Sequence, residues 1–307
     1  MKKILQVSYY IFILFVVTLF VGCHYVPQKE LLITSEDALT FHTLQSQVLN
    51  DLGNNMSNGF DPLSIKVVTW NGLEGNRTNF FKNWFGDREE WREDFIDIAE
   101  NSDIIILQEA FVDEETINIL GELKNIKGPI WWTLSPNFIY RSNDAPTGVL
   151  TISSSAPSDT ESFRTNEPVL TTPKASLLTK YYLNGSDKKL LVVNVHAILL
   201  GEKTFKSQLC ELEEKIILHN GPVILAGDFN AFTEDRVEEL ERMVEFLELR
   251  SAFDNVTLED DRSKFLFTYP YDHLFYKGLK LKSQPFVKKV ESSDHNPIMV
   301  HFELEAE

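Results

Sequence analysis

Beyond Pro62 the chain alternates short apolar runs, rich in β-branched residues and bounded by polar ones, with longer segments whose apolar positions recur at helical spacing. The runs Ile65 to Trp70, Ile104 to Leu107, Gly148 to Ser153, Leu190 to Val195, Val223 to Ala226, Leu274 to Tyr276 and Ile298 to Phe302 predict strands. Trp91 to Glu100, Glu114 to Leu123, Thr204 to His219 and Arg236 to Glu248 predict helices. Buried runs separated by helices argue for sheets covered by helices, not for an all-β sandwich or a helical bundle. Periodicity carries the fold class to α/β and no further.

The pattern is different before Pro62. Lys2 and Lys3 precede an apolar stretch from Tyr9 to Val21, interrupted by Thr18, and Gly22-Cys23 come directly after it. Residues 1–22 read as a targeting segment that takes no part in the fold. Phe20-Val21-Gly22-Cys23 resembles the bacterial lipobox, in which a peptidase cuts before the cysteine that then carries lipid, with Phe20 where leucine is preferred. The other reading is an uncleaved signal anchor, since the stretch is nearly long enough to span a bilayer. Either way the expectation is an exported, membrane-attached protein; as a lipoprotein, with no Asp after Cys23, it is compatible with the outer membrane. Residues 23–61 are expected to form a tether, with one amphipathic helix from Ala38 to Leu52 and a Gly/Asn/Ser/Met-rich linker from Gly53 to Asp61. Residues 62–307 are then the globular domain.

The whole chain has 307 residues and 43% hydrophobic content, enough to fill a substantial core. Acidic residues outnumber basic ones 46 to 29, a formal charge of −17, which disfavours tight non-specific binding to nucleic acid. A divalent ion in a site can still supply local positive charge. Cys23 and Cys210 are the only cysteines, so acylation of Cys23 leaves none to pair with Cys210. Cys210 lies in a helical pattern and is expected to be a buried structural thiol.

Chemistry enters at the ends of the predicted strands. Asn71 comes after Trp70, Gln108-Glu109 after Leu107, His196 after Val195 and Asp228-Phe229-Asn230 after Gly227, while Ser293-Asp294-His295-Asn296-Pro297 precede the last strand. Singly, each has a structural explanation: an Asx turn at Asp228, a helix cap at Glu109 or Asp294, a satisfied core histidine at His196. Jointly they place polar residues at one edge of a sheet, a common way to build a site.

Thr69-Trp70-Asn71, Leu107-Gln108-Glu109, Asn194-Val195-His196, Gly227-Asp228-Phe229-Asn230, Tyr271-Asp272-His273 and Ser293-Asp294-His295-Asn296-Pro297, in that order, resemble the endonuclease/exonuclease/phosphatase superfamily, the DNase I-like phosphoesterases. The resemblance covers residues 65 to 304. Thr147-Gly148-Val149, Glu167-Pro168 to Lys174 and Ser292 to Pro297 are similar to a bacterial branch of it. It implies a four-layer αββα sandwich and hydrolysis of a phosphate ester with Mg²⁺, or alternatively Mn²⁺. Glu109 would be a metal ligand, with Asn71 beside it and Asp294 a second carboxylate. Asp272 and His295 would form a carboxylate–imidazole pair, and either Asp228 or His295 would take the proton from water. His196 would meet a phosphoryl oxygen or the leaving group, although no carboxylate partner for it is apparent, and Asn230 would hold the phosphate. Arg141 is a candidate substrate contact. His273 is expected on the opposite strand face, in packing. Trp84, Trp91, Trp131 and Trp132 are expected in the core rather than in a stacking surface, and Glu234 to Glu248 on a solvated helix face.

The resemblance leaves the substrate open between nucleic acid, slightly ahead, and a membrane phospholipid of the sphingomyelin kind. A surface protein that binds phosphate or a partner without turnover is the reading from another class. No obligate protein partner is implied.

Overall fold

The computed structural model describes residues 24–26, 32–34, 59–72, 88–142, 144–168, 172–253, 262 and 269–305. Residues 1–22, Cys23, the helix expected at 38–52 and Trp84 lie outside them.

In chain order, β1 (His24–Tyr25), β2 (Ile33–Thr34), β3 (Ile65–Asn71), β4 (Ile104–Phe111), β5 (Trp131–Tyr140) and β6 (Pro146–Ser153) build the first sheet. The chain then crosses to a second sheet with β7 (Asp159–Thr165), β8 (Lys174–Tyr182), β9 (Lys189–His196), β10 (Val223–Asp228), β11 (Arg250–Ser251) and β12 (Asp272–Lys277). It returns with β13 (Leu279–Leu281), β14 (Phe286–Val287) and β15 (Ile298–Leu304) to complete the first. The first sheet runs β1-β5-β6-β4-β3-β15-β13, with β2 also on β5 and β14 also on β15; the second runs β11-β12-β10-β9-β8-β7. β3 pairs parallel with β4, and β9 with β10.

Side-chain alternation along these strands makes three apolar layers. Ile65, Val67, Ile104 and Ile106 face Val192, Ile224, Leu274 and Tyr276 between the sheets. On the outer face of the first sheet, Val68, Ile105 and Leu107 meet Phe95, Ile98, Leu120 and Leu123 of helices α1 (Arg88–Glu100) and α2 (Glu114–Lys127). On the outer face of the second, Leu191, Val193 and Leu225 meet Leu209, Leu212, Leu240 and Met243 of α3 (Glu202–Ile216) and α4 (Glu234–Phe246). The result is the four-layer αββα sandwich expected.

Local signals fix the helix ends. Asp113 caps α2 by accepting from the Thr116 N–H, Glu114 and Glu115 occupy its first turn, and Gly128 closes it. Thr233 caps α4 in the same way through the Arg236 N–H. The glutamates from 234 to 248 lie mainly on the exposed side of α4, as expected. Trp91 and Trp132 are core residues, Trp131 is half-buried, and Cys210 is half-buried where a buried thiol was expected.

Two expectations are corrected. The segment expected to be a tether contributes strands: His24 pairs with Tyr140 and Tyr25 with Ile139, while Ile33 and Thr34 pair with Leu134 and Thr133. Phe60, from the expected linker, is buried and its N–H donates to the Tyr182 carbonyl. In addition, β4 does not end at Leu107 but continues to Phe111, so Glu109 lies inside a strand.

Candidate active site

The C-terminal ends of β3 and β4 in one sheet meet those of β9 and β10 in the other, and hydrogen bonds cross the seam. Beneath the opening, the Gln108 Nε2 donates to the Asn194 Oδ1 at 2.9 Å, and the Asn194 Nδ2 donates to the carbonyls of Leu107 (3.0 Å) and Leu150 (3.1 Å). Nearer the opening, the Asn71 Nδ2 donates to the Asp228 Oδ2 at 3.0 Å. Buried amides used this way satisfy strand-end groups and lock the relative position of the sheets.

Glu109 reaches the opening because β4 is bulged: Leu107 pairs with Leu150 but the next pair is Ala110 with Gly148, one residue too many on the β4 side. Glu109 takes φ 51°, a left-handed conformation uncommon for Glu, and turns out of the alternation. Gly148 opposite the bulge has no room for a side chain, since a Cβ would stand 2.1 Å from the Ser135 carbonyl oxygen. The Glu109 side chain keeps 27% of its surface exposed. Asn71, His196, Asp228, Asn230, Asp272, Asp294 and His295 are all buried.

Asp228 ends β10, and the turn after it is held tightly. Its Oδ1 accepts from the Asn230 N–H at 2.9 Å; Asn230 stands at φ 48°, and its Nδ2 donates to the Ala197 carbonyl at 2.9 Å. The wholly buried Arg236 side chain supports the turn from below, its Nη1 donating to the carbonyls of Asn230 (2.9 Å) and Ile198 (3.0 Å). Gly227 precedes Asp228 at φ 144°, where a Cβ would fall 1.9 Å from the Val195 carbonyl oxygen. Burial, with the nearby Asp272 charge, pushes the Asp228 carboxyl up to about 6, against the pull of His295 and the Asn230 and Asn71 donors.

His295 Nδ1 lies 2.5 Å from the Asp272 Oδ2, so the expected pair is formed. The Trp70 Nε1 donates to the His295 carbonyl, the Ser293 Oγ accepts from the His295 N–H, and the same hydroxyl donates to the Asn71 carbonyl. Burial alone would discharge the ring, but Asp272, Asp294 and Asp228 together outweigh it and hold His295 well above the ordinary imidazole value. Burial raises Asp294, with Glu109 adding to the effect.

His196 Nε2 stands 3.6 Å from the Asp228 Oδ2 and 3.8 Å from the Glu109 Oε1. Its Nδ1 is buried with no hydrogen-bond partner among the described residues. Burial, then Lys174 and His295, hold it well below the ordinary value, so the ring is neutral.

Thus Asn71, Glu109, His196, Asp228, Asn230, Asp272, Asp294 and His295 all come to one opening. Arg141 is placed on the β5–β6 hairpin at the same end of the sheet, its guanidinium 5.4 Å above the Tyr25 ring. His273 packs edge-on to Phe229 and stacked on Phe275, as expected. Sequence reasoning gave no role to Lys174, whose Nζ is 3.8 Å from the Glu109 Oε1, or to Arg236, Gln108 and Asn194. Asn194 carried a signal, lying two residues before His196 and hence on the same strand face.

The donor chemistry fits a hard divalent cation. Glu109, Asn71 and Asp294 would supply oxygen ligands, the kind such an ion prefers, and Glu109 interacts electrostatically with Asp294. Among the described residues no group of three or more His, Cys, Asp or Glu side chains is arranged to hold a metal ion.

The model of the Endonuclease/Exonuclease/phosphatase family matches residues 68–295. A UPF0294 protein of Vibrio campbellii is 29% identical over 288 residues, covering 91% of this chain and 90% of that one. One of Photorhabdus laumondii is 32% identical over 240 residues, covering 78% and 83%. Among solved structures, an endonuclease/exonuclease/phosphatase from Beutenbergia cavernae superimposes with a TM-score of 0.60 at 16% identity, over 79% of this chain and 72% of that one. The human Nocturnin catalytic domain does so with 0.58 at 19%, over 81% and 96%. Fold, ordered site residues and a match that spans most of both sheets lead to one assignment: this chain belongs to the endonuclease/exonuclease/phosphatase family, alongside the UPF0294 proteins.

Proposed function

We propose that the chain is a Mg²⁺-dependent phosphoesterase that hydrolyses a phosphodiester, with Mn²⁺ as an alternative ion. The observation that carries this reading is the convergence across the seam: Asn71 on Asp228, His196 between Asp228 and Glu109, and Asp272 on His295.

Glu109, with Asn71 and Asp294, would hold the ion, which when bound offsets the charge on the phosphoryl oxygens. Asp272 fixes His295 by its Nδ1 and keeps the ring charged, so His295 stabilises negative charge and does not accept a proton near neutrality. Proton acceptance from the attacking water then falls to Asp228, whose value near 6 suits it to that task. The neutral His196 ring donates a hydrogen bond to a phosphoryl or leaving oxygen, and Asn230 orients the phosphate. Lys174 adds a positive charge beside Glu109.

Solved neighbours include ANGEL2, a 2′,3′-cyclic phosphatase, and a Bacteroides thetaiotaomicron mannosyl-6-phosphatase, so the shared fold does not choose the substrate. We further infer attachment to the outer face of a membrane through Cys23 or an uncleaved apolar span.

The test is turnover of bis-p-nitrophenyl phosphate with Mg²⁺ and with chelator, using Glu109→Ala and His295→Ala. Metal-dependent hydrolysis reduced at least about 100-fold in both variants supports the proposal. Absence of turnover with this and with DNA, RNA and sphingomyelin would leave a phosphate-binding surface protein in its place.

A further inference from the structure

The N-terminal segment joins the domain at a particular point. β4, β6, β5 and β1 are successive neighbours in the first sheet, so β1 stands about 14 Å across the sheet from β4. The registers give its direction. Phe111 pairs with Thr147 and Ile139 with Pro146, so the Tyr140 end of β5 is the end at which β4 presents Glu109. His24 pairs with Tyr140 and Tyr25 with Ile139, and further along Ile33 pairs with Leu134. The chain therefore enters the fold at the rim of the active site and runs away from it. Cys23 is the residue just before that entry point.

The rim has the composition of a surface for a polar–apolar boundary. Phe111 and Phe138 pack on Tyr140 with ring centroids 5.6 and 5.2 Å away, Phe138 and Tyr140 are half-buried, and the exposed Arg141 lies over Tyr25. Tyrosine and arginine combine an apolar body with a polar tip and suit the headgroup region of a bilayer.

We propose that this rim docks on the membrane that holds the N-terminal segment, so that the active site opens toward the bilayer and acts on phosphodiesters in lipid headgroups. This rests on the phosphoesterase reading and on membrane attachment of residues 1–23. It holds whether Cys23 is lipidated or the apolar stretch remains as an anchor, because in both cases the chain leaves the membrane next to His24.

The test uses the full chain in phosphatidylcholine–sphingomyelin vesicles containing a nitroxide-labelled phosphatidylcholine. An environment-sensitive dye is placed at Ser142→Cys on the β5–β6 hairpin, or at Asn101→Cys at the opposite end of β4, each in a Cys210→Ser background; the same chain without an added cysteine sets the blank. Quenching at least about twofold stronger at position 142 than at 101 supports docking. Equal quenching, or protection of position 142 without vesicles by a second copy, overturns it. In parallel, each chain is assayed on bis-p-nitrophenyl phosphate and on the vesicle sphingomyelin. Turnover of the soluble ester with none of the lipid, or with preference for DNA, overturns the headgroup assignment while leaving the phosphoesterase reading intact. Loss of the soluble activity would count against that reading instead, and the quenching comparison would still stand.

Discussion

Asp228 shows how a single residue serves the chemistry at the expense of the fold. Its folded-state value is raised from 3.8 to about 6, so the ionised carboxylate is less favourable in the folded chain than in the unfolded one. The stability it contributes is therefore complete below about pH 3.8 and is lost as pH rises through about 6. Asp228→Asn cannot ionise. In chelator it should melt higher than the parent chain at pH 7.5, the two should converge by pH 4, and turnover should be abolished; a scan of Tm against pH checks the sign. Gly227 next to it is constrained by geometry alone, and Gly227→Ala should cost at least about 2 kcal/mol in urea denaturation, through both its φ and the contact with Val195. Arg236 acts through the Asn230 carbonyl, so Arg236→Lys should lower kcat more than it raises KM.

At the scale of elements, the predicted and observed boundaries explain each other. The helices were legible because their apolar periodicity and caps agree, as at Asp113 and Thr233. The predicted strands were legible where both faces are buried and the run is continuous. β5 and β7 were not: Trp131–Tyr140 contains Pro136 and Asn137, and Asp159–Thr165 is polar apart from Phe163 and lies along an edge, so both read as loop in a single sequence. The site residues were legible as an ordered set of strand-end motifs. The bulge that aims Glu109 was not, because the extra residue is defined only against the partner strand. The Gln108–Asn194 bond depends in the same way on a neighbour in another sheet. Asn194→Ala should cost about 2 to 4 kcal/mol, since it removes the nearest acceptor of the Gln108 Nε2 and a donor to two buried carbonyls. Exposed Glu238→Ala on α4 should change stability by less than about 0.5 kcal/mol.

The whole molecule is tied together by its last strand. β15 pairs with β3 along Ile298 to Phe302, and Phe302 is fully buried in the layer between the sheets. Chains cut before Ile298 should lose the cooperative thermal transition, measured by calorimetry, and not merely the turnover. The pairing also spans most of the sequence, from Ile65 to Phe302. Contacts of that separation must wait for loop closure, so assembly of the first sheet is slow relative to that of a helical protein of similar size. Until the ribosome has delivered residue 304, β3 lacks its neighbour on one side, and the carboxylate–imidazole pair lacks its histidine nearly as long. The seam between the two sheets is therefore the last part of the molecule to be assembled, and a chain still on the ribosome carries the site residues without the site.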